Sequence, residues 1–311
     1  MSFSAQDVAK LRQTTGAGMM ECKSALKESN GDIERASEIL RQKGIIAAAK
    51  KSEKSSEEGI VTALIADDKR SGVLLEINSQ TDFVAKNEMF QKLAKSVTEI
   101  ALKNKPKDVE SLLKLKCEND IISDLITDSI AKIGENIKVR RFQLFELNNN
   151  FGIIGSYIHP VGNKIGVLVK LTLKENKTTC IEELATLAKD ISMHVAASQP
   201  QPEYIDKSQI PQSLIEKEKK VELGKEDLAK KPADIREKIV QGRLDKILAQ
   251  RCLLEQPFIK DPNITIDKLI KDKSKELGVD IKVTQFVRYN VGESIEKLDS
   301  EGQKSPVGST Q

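Results

Sequence analysis

Two segments of this chain spell out the same supersecondary unit. Gly59-Ile-Val-Thr-Ala-Leu-Ile65 reads as a strand, Asp67-Asp-Lys-Arg-Ser71 as a turn, and Gly72-Val-Leu-Leu-Glu-Ile77 as the returning strand. A helical pattern containing Leu93-Ala-Lys95 follows. Further on, Gly152-Ile-Ile-Gly-Ser-Tyr-Ile158, the turn from His159 to Asn163, Gly166-Val-Leu-Val-Lys-Leu171 and a helix with Leu187-Ala-Lys189 repeat the order. Gly72 to Leu93 and Gly166 to Leu187 span the same separation. Strand pairs joined by short turns are antiparallel, so the repeat predicts a duplicated α+β core with helices packed on one face of each hairpin.

The flanking sequence divides accordingly. Residues 1–46 read as three short helices. Ser4 and Asp7 have capping-box spacing, and the helices carry the apolar stripes Val8/Leu11, Met19/Cys22/Ala25/Leu26 and Ile33/Ala36/Ile39/Leu40. So small a unit is expected to be a mobile docking head on a polar linker, residues 47–58. The first repeat occupies residues 59–146. It includes a helical stretch from Asp108 to Ile133 and a strand from Ile137 to Phe142. The second occupies 147–202 and resumes at 255–290. There Thr265 is placed to cap a helix ending at Gly278, and Ile281 to Val287 alternates as a strand. Between these parts, residues 203–254 read as an inserted helical hairpin. Its first arm carries Leu214, Val221 and Leu228 seven apart, and Pro232 restarts the second. Packing of that seam on its own hairpin partner is favoured over pairing with another chain. Residues 291–311 form a C-terminal module and a tail read as disordered.

Several function classes are disfavoured. Basic and acidic residues nearly balance, 50 against 47, and aromatics are 4% of the 311 residues, so neither an electrostatic footprint nor a stacking platform for nucleic acid is evident. No apolar run approaches the ~18 residues of a membrane span. The N-terminus lacks the basic and apolar regions of a secretory signal. The four cysteines are widely spaced and are expected to be reduced thiols, with no metal site. A cytoplasmic protein is expected. There is no P-loop, no dinucleotide fingerprint beyond Gly16-Ala-Gly18, and no G-x-S-x-G. His194 lies in an apolar helical run and reads as structural; His159 reads as an exposed turn residue. No catalytic residue and no cofactor are expected.

The most informative local run is Asn78-Ser-Gln-Thr-Asp-Phe-Val-Ala-Lys-Asn87, between a strand and a helix. Such connections lie at the surface. Phe83 there either staples the following helix or is offered to a partner, and spacing alone leaves both open.

The motifs resemble the elongation factor Ts (EF-Ts) family. The head carries Thr15-Gly-Ala-Gly-Met-Met20, Cys22-Lys23, Ala25-Leu26 and Asn30-Gly-Asp32. The core carries Gln80 to Asn87, Ala131-Lys-Ile-Gly-Glu-Asn-Ile137 and His194-Val-Ala-Ala-Ser198; the end carries Val287-Arg-Tyr-Asn-Val-Gly-Glu293. The resemblance runs in one order along nearly the whole chain. It departs at Ser294, where the family usually has glycine, and at Pro160 and Val161, where glycines are common. It implies a ubiquitin-associated-like (UBA-like) head, a two-lobed core, a coiled-coil hairpin and a C-terminal module; the hairpin's apolar seam leaves a homodimer open as the less favoured pairing. It also implies a non-enzymatic translation elongation factor that binds the GTPase EF-Tu and promotes GDP release by disturbing the Mg²⁺ and phosphate site, so that GTP rebinds. By that similarity Thr81, Asp82, Phe83 and Val84 enter the partner, with Asp82 and Phe83 carrying the disruption. Ile133, Gly134 and His159 support the contact, and Met19, Met20 and Lys23 dock the head. The alternatives are an adaptor without exchange activity, binding a helical or ubiquitin-like surface through the head, and a small-substrate enzyme.

Overall fold

The structure is a computed structural model that describes residues 3–51, 54–118, 120–229, 231–294, 296–298 and 304–306. Helix α1 (Ala5–Thr15) starts at the expected capping box: the Ser4 N–H donates to Asp7 Oδ2 at 2.7 Å and the Asp7 N–H to Ser4 Oγ at 3.2 Å. Helices α2 (Met19–Glu28) and α3 (Ile33–Lys51) follow, with the Arg35 N–H donated to Asp32 Oδ1 at 3.0 Å. Val8, Leu11, Cys22, Ala25, Leu26 and Ala36 form the small core of this head.

The first lobe contains β1 (Glu58–Ile65), β2 (Ser71–Ser79), α4 (Asp82–Ala85), α5 (Glu88–Asn104), α6 (Val109–Leu113), β3 (Lys116–Cys117), β4 (Asp120–Ile121), α7 (Ile122–Ile133) and β5 (Lys138–Glu146). The second contains β6 (Phe151–Ile158), β7 (Ile165–Leu173) and α8 (Ile181–Ala197). The insertion follows as α9 (Gln212–Leu223), α10 (Glu226–Ala229) and α11 (Ala233–Arg251). The lobe then resumes with β8 (Pro257–Phe258), β9 (Asp261–Thr265), α12 (Ile266–Leu277) and β10 (Ile281–Asn290). A last antiparallel pair joins β11 (Glu296–Leu298) to β12 (Lys304–Pro306); the rest of the tail read as disordered lies outside the described residues.

Each lobe is built on a three-stranded antiparallel sheet, in the orders β1-β2-β5 and β10-β7-β6. Alternation along the strands explains how the sheets stack. Val73, Leu75 and Ile77 point outward to Phe90, Leu93 and Val97 of α5. Val167, Val169 and Leu171 do the same against Leu184, Leu187 and Ile191 of α8. The opposite faces, with Val61, Leu74, Phe145, Ile154, Leu168 and Tyr289, meet in a core shared by both lobes. β2 and β7 are therefore buried on both sides, which accounts for their unbroken apolar runs. Gly72 and Gly166 head these two strands at the shared face. A Cβ on Gly72 would lie 2.6 Å from Ile65 Cδ1, and one on Gly166 would lie 2.5 Å from Val61 Cγ1. Only glycine lets the sheets approach this closely.

A buried ionic clasp joins the lobes. Glu76, with no exposure, accepts from Arg140 at 2.9 Å, from Arg141 at 2.6 Å and from the Gly292 N–H at 3.1 Å. Arg141 also pairs with Glu293 at 2.8 Å and stacks 4.0 Å from the Tyr289 ring centroid. The Val287–Glu293 motif is thus the far half of this clasp.

The structure departs from expectation in three places. The stretch from Asp108 to Ile133 is not one helix: α6 and α7 are separated by the small β3–β4 hairpin, where Glu118 adopts a left-handed φ of 57°. The first arm of the insertion breaks after α9 at Gly224, and Leu228 is buried on α10 while Val221 is 55% exposed. Helix α3 runs through Lys51, into the segment read as linker, and lies across α7, with Arg41 reaching Asp124 at 3.8 Å.

Candidate functional site

Thr81 starts the short helix α4. Its backbone is extended (φ −125°) and its hydroxyl accepts the Val84 N–H at 3.5 Å, which satisfies one of the turn's otherwise free donors. The Ser79 hydroxyl donates to the Thr81 carbonyl at 2.9 Å. Asn87 caps the next helix, accepting the Met89 N–H at 2.8 Å. The turn is therefore closed at both ends, and its four residues split in two directions. Val84 and Ala85 enter the first lobe's core, at 8% and 6% exposure. Phe83 stands outside at 79%. Val84, not Phe83, is the residue that packs into the lobe; the ring is presented outward. Val84, named as a partner-facing residue, is instead turned into its own lobe, because a four-residue helical turn cannot aim neighbouring side chains the same way.

Asp82 is ion-paired with Lys86 one turn on, at 2.8 Å. The hydrogen bond from Lys86 holds the Asp82 carboxyl below its ordinary range, aided by the charges of Lys86 and Lys164. Lys164 belongs to the end of the β6–β7 turn and bonds Glu58 at 2.7 Å, and Glu58 is the strand partner of Ser79. The turn bearing His159 thus lies at the same edge of the molecule as Thr81. The half-buried imidazole is within 3.2 Å of the Tyr157 hydroxyl, and the His159 N–H donates to the Ile165 carbonyl at 2.9 Å. Val161, beside it, is 74% exposed.

Ile133 ends α7 and packs at the margin of the first core; Gly134, at φ 91°, caps the helix in the left-handed region that favours glycine. Glu135 then turns back to Thr81, accepting its N–H at 3.0 Å and its hydroxyl at 2.8 Å. Sequence reasoning missed Glu135, although it stands inside the quoted motif, because only the fold shows where its carboxylate goes. Met19, Met20 and Lys23 are exposed on α2, with no bond to the Thr81 turn. The loop before them lies over α7: Gly16 sits against the Lys132 side chain. A cleft of about 380 Å³ separates head from core, lined by Thr15, Glu21, Ser24, Arg41, Asp128 and Lys132.

Among the described residues no cluster of three His, Cys, Asp or Glu side chains is placed to hold a metal, and no helix is long and apolar enough to cross a membrane. All four cysteines are free, and burial pushes the Cys252 thiol up to about 11. His194 is buried in the second lobe, its Nε2 2.9 Å from Gln256 Oε1 and its Nδ1 accepting the Ile259 N–H at 3.3 Å, a structural role as expected. What the Thr81–Ala85 turn offers is an outward ring beside a carboxylate, on a turn whose inner side is anchored in the core.

The family model for Elongation factor TS matches residues 80–293. A curated Elongation factor Ts of Nostoc sp. is 46% identical over 301 residues, covering 96% of this chain and 95% of the relative. That of Clostridium acetobutylicum is 46% identical over 302 residues, with coverage of 96% and 95%. That of Syntrophotalea carbinolica is 40% identical over 299 residues, again with 96% and 95%. The matched model begins at the Thr81 turn and ends at the ionic clasp, and the relatives align along nearly all of the chain, so the chain belongs to the elongation factor Ts family and is a translation elongation factor.

Proposed function

We propose that this chain binds EF-Tu·GDP, the partner its family implies, and drives out GDP by inserting the Phe83 ring near the Mg²⁺ and phosphate site, after which GTP rebinds. The observation that carries this reading is the outward ring, 79% exposed on a turn whose other side is anchored in a core. Exchange needs no bond-making residue. It needs a surface that binds the nucleotide-free partner better than the loaded one, and linkage makes the two affinities weaken each other by the same factor. Burying one such ring contributes about 1.5–3 kcal/mol, enough to displace helices that hold a metal ligand. Thr81 shapes the turn, Val84 anchors it, and Asp82 adds a carboxylate beside the ring. Ile133, Gly134 and His159 support the contact from the same edge. Met19, Met20 and Lys23 grip the GTPase at a second place.

In this reading the head is UBA-like and the α9–α11 hairpin is a coiled coil whose outward Val221, Leu223 and Ile235 let two copies pair. Neither nucleic acid, membrane nor cofactor takes part, and the work is done in the cytoplasm. An adaptor without exchange activity is the competing reading, favoured by the exposed Met19 and Met20. Stopped-flow release of fluorescent GDP from EF-Tu separates the two. The intact chain is expected to accelerate release and Phe83→Ala to lose most of the acceleration; release that is indifferent to the chain sinks the exchange reading.

A further inference from the structure

We infer that Glu135 is a positioning residue for the exchange step: its carboxylate sets the angle at which Phe83 meets the partner, an inference that rests on the exchange reading above. Three observations carry it. The first is bidentate geometry. Oε2 accepts the Thr81 N–H at 3.0 Å and Oε1 accepts the Thr81 hydroxyl at 2.8 Å, so both donors of one residue are held by one ionised group. A carboxylate bonded to both donors of one residue fixes orientation as well as distance. The second is where the held residue stands. Thr81 caps α4, and Phe83 is two residues on, with nothing in its own core to steady the ring. The inward anchor, Val84, prevents the turn from lifting off; the Glu135 bonds stop it from swivelling.

The third is what stands behind Glu135. It directly follows Gly134, the left-handed cap of α7, and α7 is the helix on which the head's α3 lies. The next residue, Asn136, donates its side-chain amide to the Lys54 carbonyl at 2.8 Å, fastening the segment that leads from the head into β1. Two consecutive side chains thus tie the head's exit and the exchange turn to one helix end. A shift of α7 when the head is engaged is passed to Thr81 through a short, directional link rather than through soft packing.

The test is a double-mutant cycle read by fluorescent-GDP release from EF-Tu at rising factor concentration. Phe83→Ala is expected to abolish most of the acceleration. Glu135→Ala is expected to lower the maximal release rate about tenfold, the effect of losing one charge-assisted anchor, while half-saturation shifts far less. In the Phe83→Ala background the same change is expected to do nothing further, because its effect passes through the ring. Glu135→Gln keeps the size and one acceptor and is expected to fall between. Thermal melts accompany each variant; if Glu135→Ala melts early, Glu135→Gln carries the cycle. An unaffected Phe83→Ala overturns the exchange reading and this inference with it. A crippled Phe83→Ala beside a normal Glu135→Ala and Glu135→Gln overturns the inference alone. So does an equal loss in both backgrounds, which marks Glu135 as merely structural.

Discussion

Phe83 and Val84 are neighbours in the chain and opposites in the fold: the first is 79% exposed and the second 8%. Stability and function should therefore separate across one peptide bond. Val84→Ser is expected to cost about 1–3 kcal/mol in urea unfolding, from lost burial and an added hydroxyl. Phe83→Ser is expected to stay within about 0.5 kcal/mol of the parent while losing GDP release. Equal destabilisation by the two would contradict the orientation of the turn.

The Asp82–Lys86 pair gives a titration. The Lys86 hydrogen bond lowers the Asp82 carboxyl in the native state. Its stabilising effect is therefore complete above the unfolded value of 3.8 and is lost as pH falls through the lower native value. Carboxyl-carbon NMR should show Asp82 titrating below the ordinary range, and Lys86→Ala should return it upward. No movement on removing Lys86 would show that the pair does not form in solution.

His194 supplies the opposite chemistry with the same sign. Burial, the main cause, lowers its pKa from 6.5, against the raising effect of its bond to Gln256. The unfolded chain then binds the proton first. Stability is complete above about 6.5 and declines as pH falls from there toward the lowered native value. Urea midpoints should fall as pH is lowered from 7.5 to 6 and then to 5, and His194→Gln should flatten that fall.

At Gly166 propensity and space disagree. Valine suits a strand better than glycine does. Yet a Cβ there meets Val61 Cγ1 at 2.5 Å and Leu74 Cδ1 at 2.8 Å, both from the other lobe. Gly166→Val is expected to cost roughly 1–3 kcal/mol through overpacking, seen as a lowered thermal midpoint. A raised midpoint would mean that the sheets yield.

Glu76→Ala removes the carboxylate between Arg140 and Arg141 and leaves those guanidinium groups only partly compensated. A loss of about 3–5 kcal/mol is expected in chemical denaturation. A loss near zero would show that water reaches the clasp.

The legible parts of the fold were those encoded locally. Ser4 with Asp7, Thr265 before Ile266, and Gly278 after Leu277 mark helix ends by chemistry within one turn, and the structure places the ends there. The unbroken apolar runs of β2 and β7 and the alternation that begins β10 are likewise local signals. What stayed hidden depended on residues distant in sequence. Nothing near Glu135 announces Thr81, and nothing near Glu76 announces Gly292. The β3–β4 hairpin was missed because two-residue strands are too short for periodicity to register. At the site, Phe83 was identifiable as an aromatic in a polar connection, but its direction follows from Val84 filling the core, which sequence spacing left open.

The clasp also sets an order of events at birth. A ribosome delivers the chain from its first residue, and Glu76 emerges long before Gly292 and Glu293, which complete its surroundings. Until they follow, the nascent first lobe holds an ionic centre with one side missing, so its final closure waits for β10 and the residues just beyond it. A ribosome stalled short of Asn290 would display a lobe that a protease can still open, and delivery of Gly292 and Glu293 would seal it.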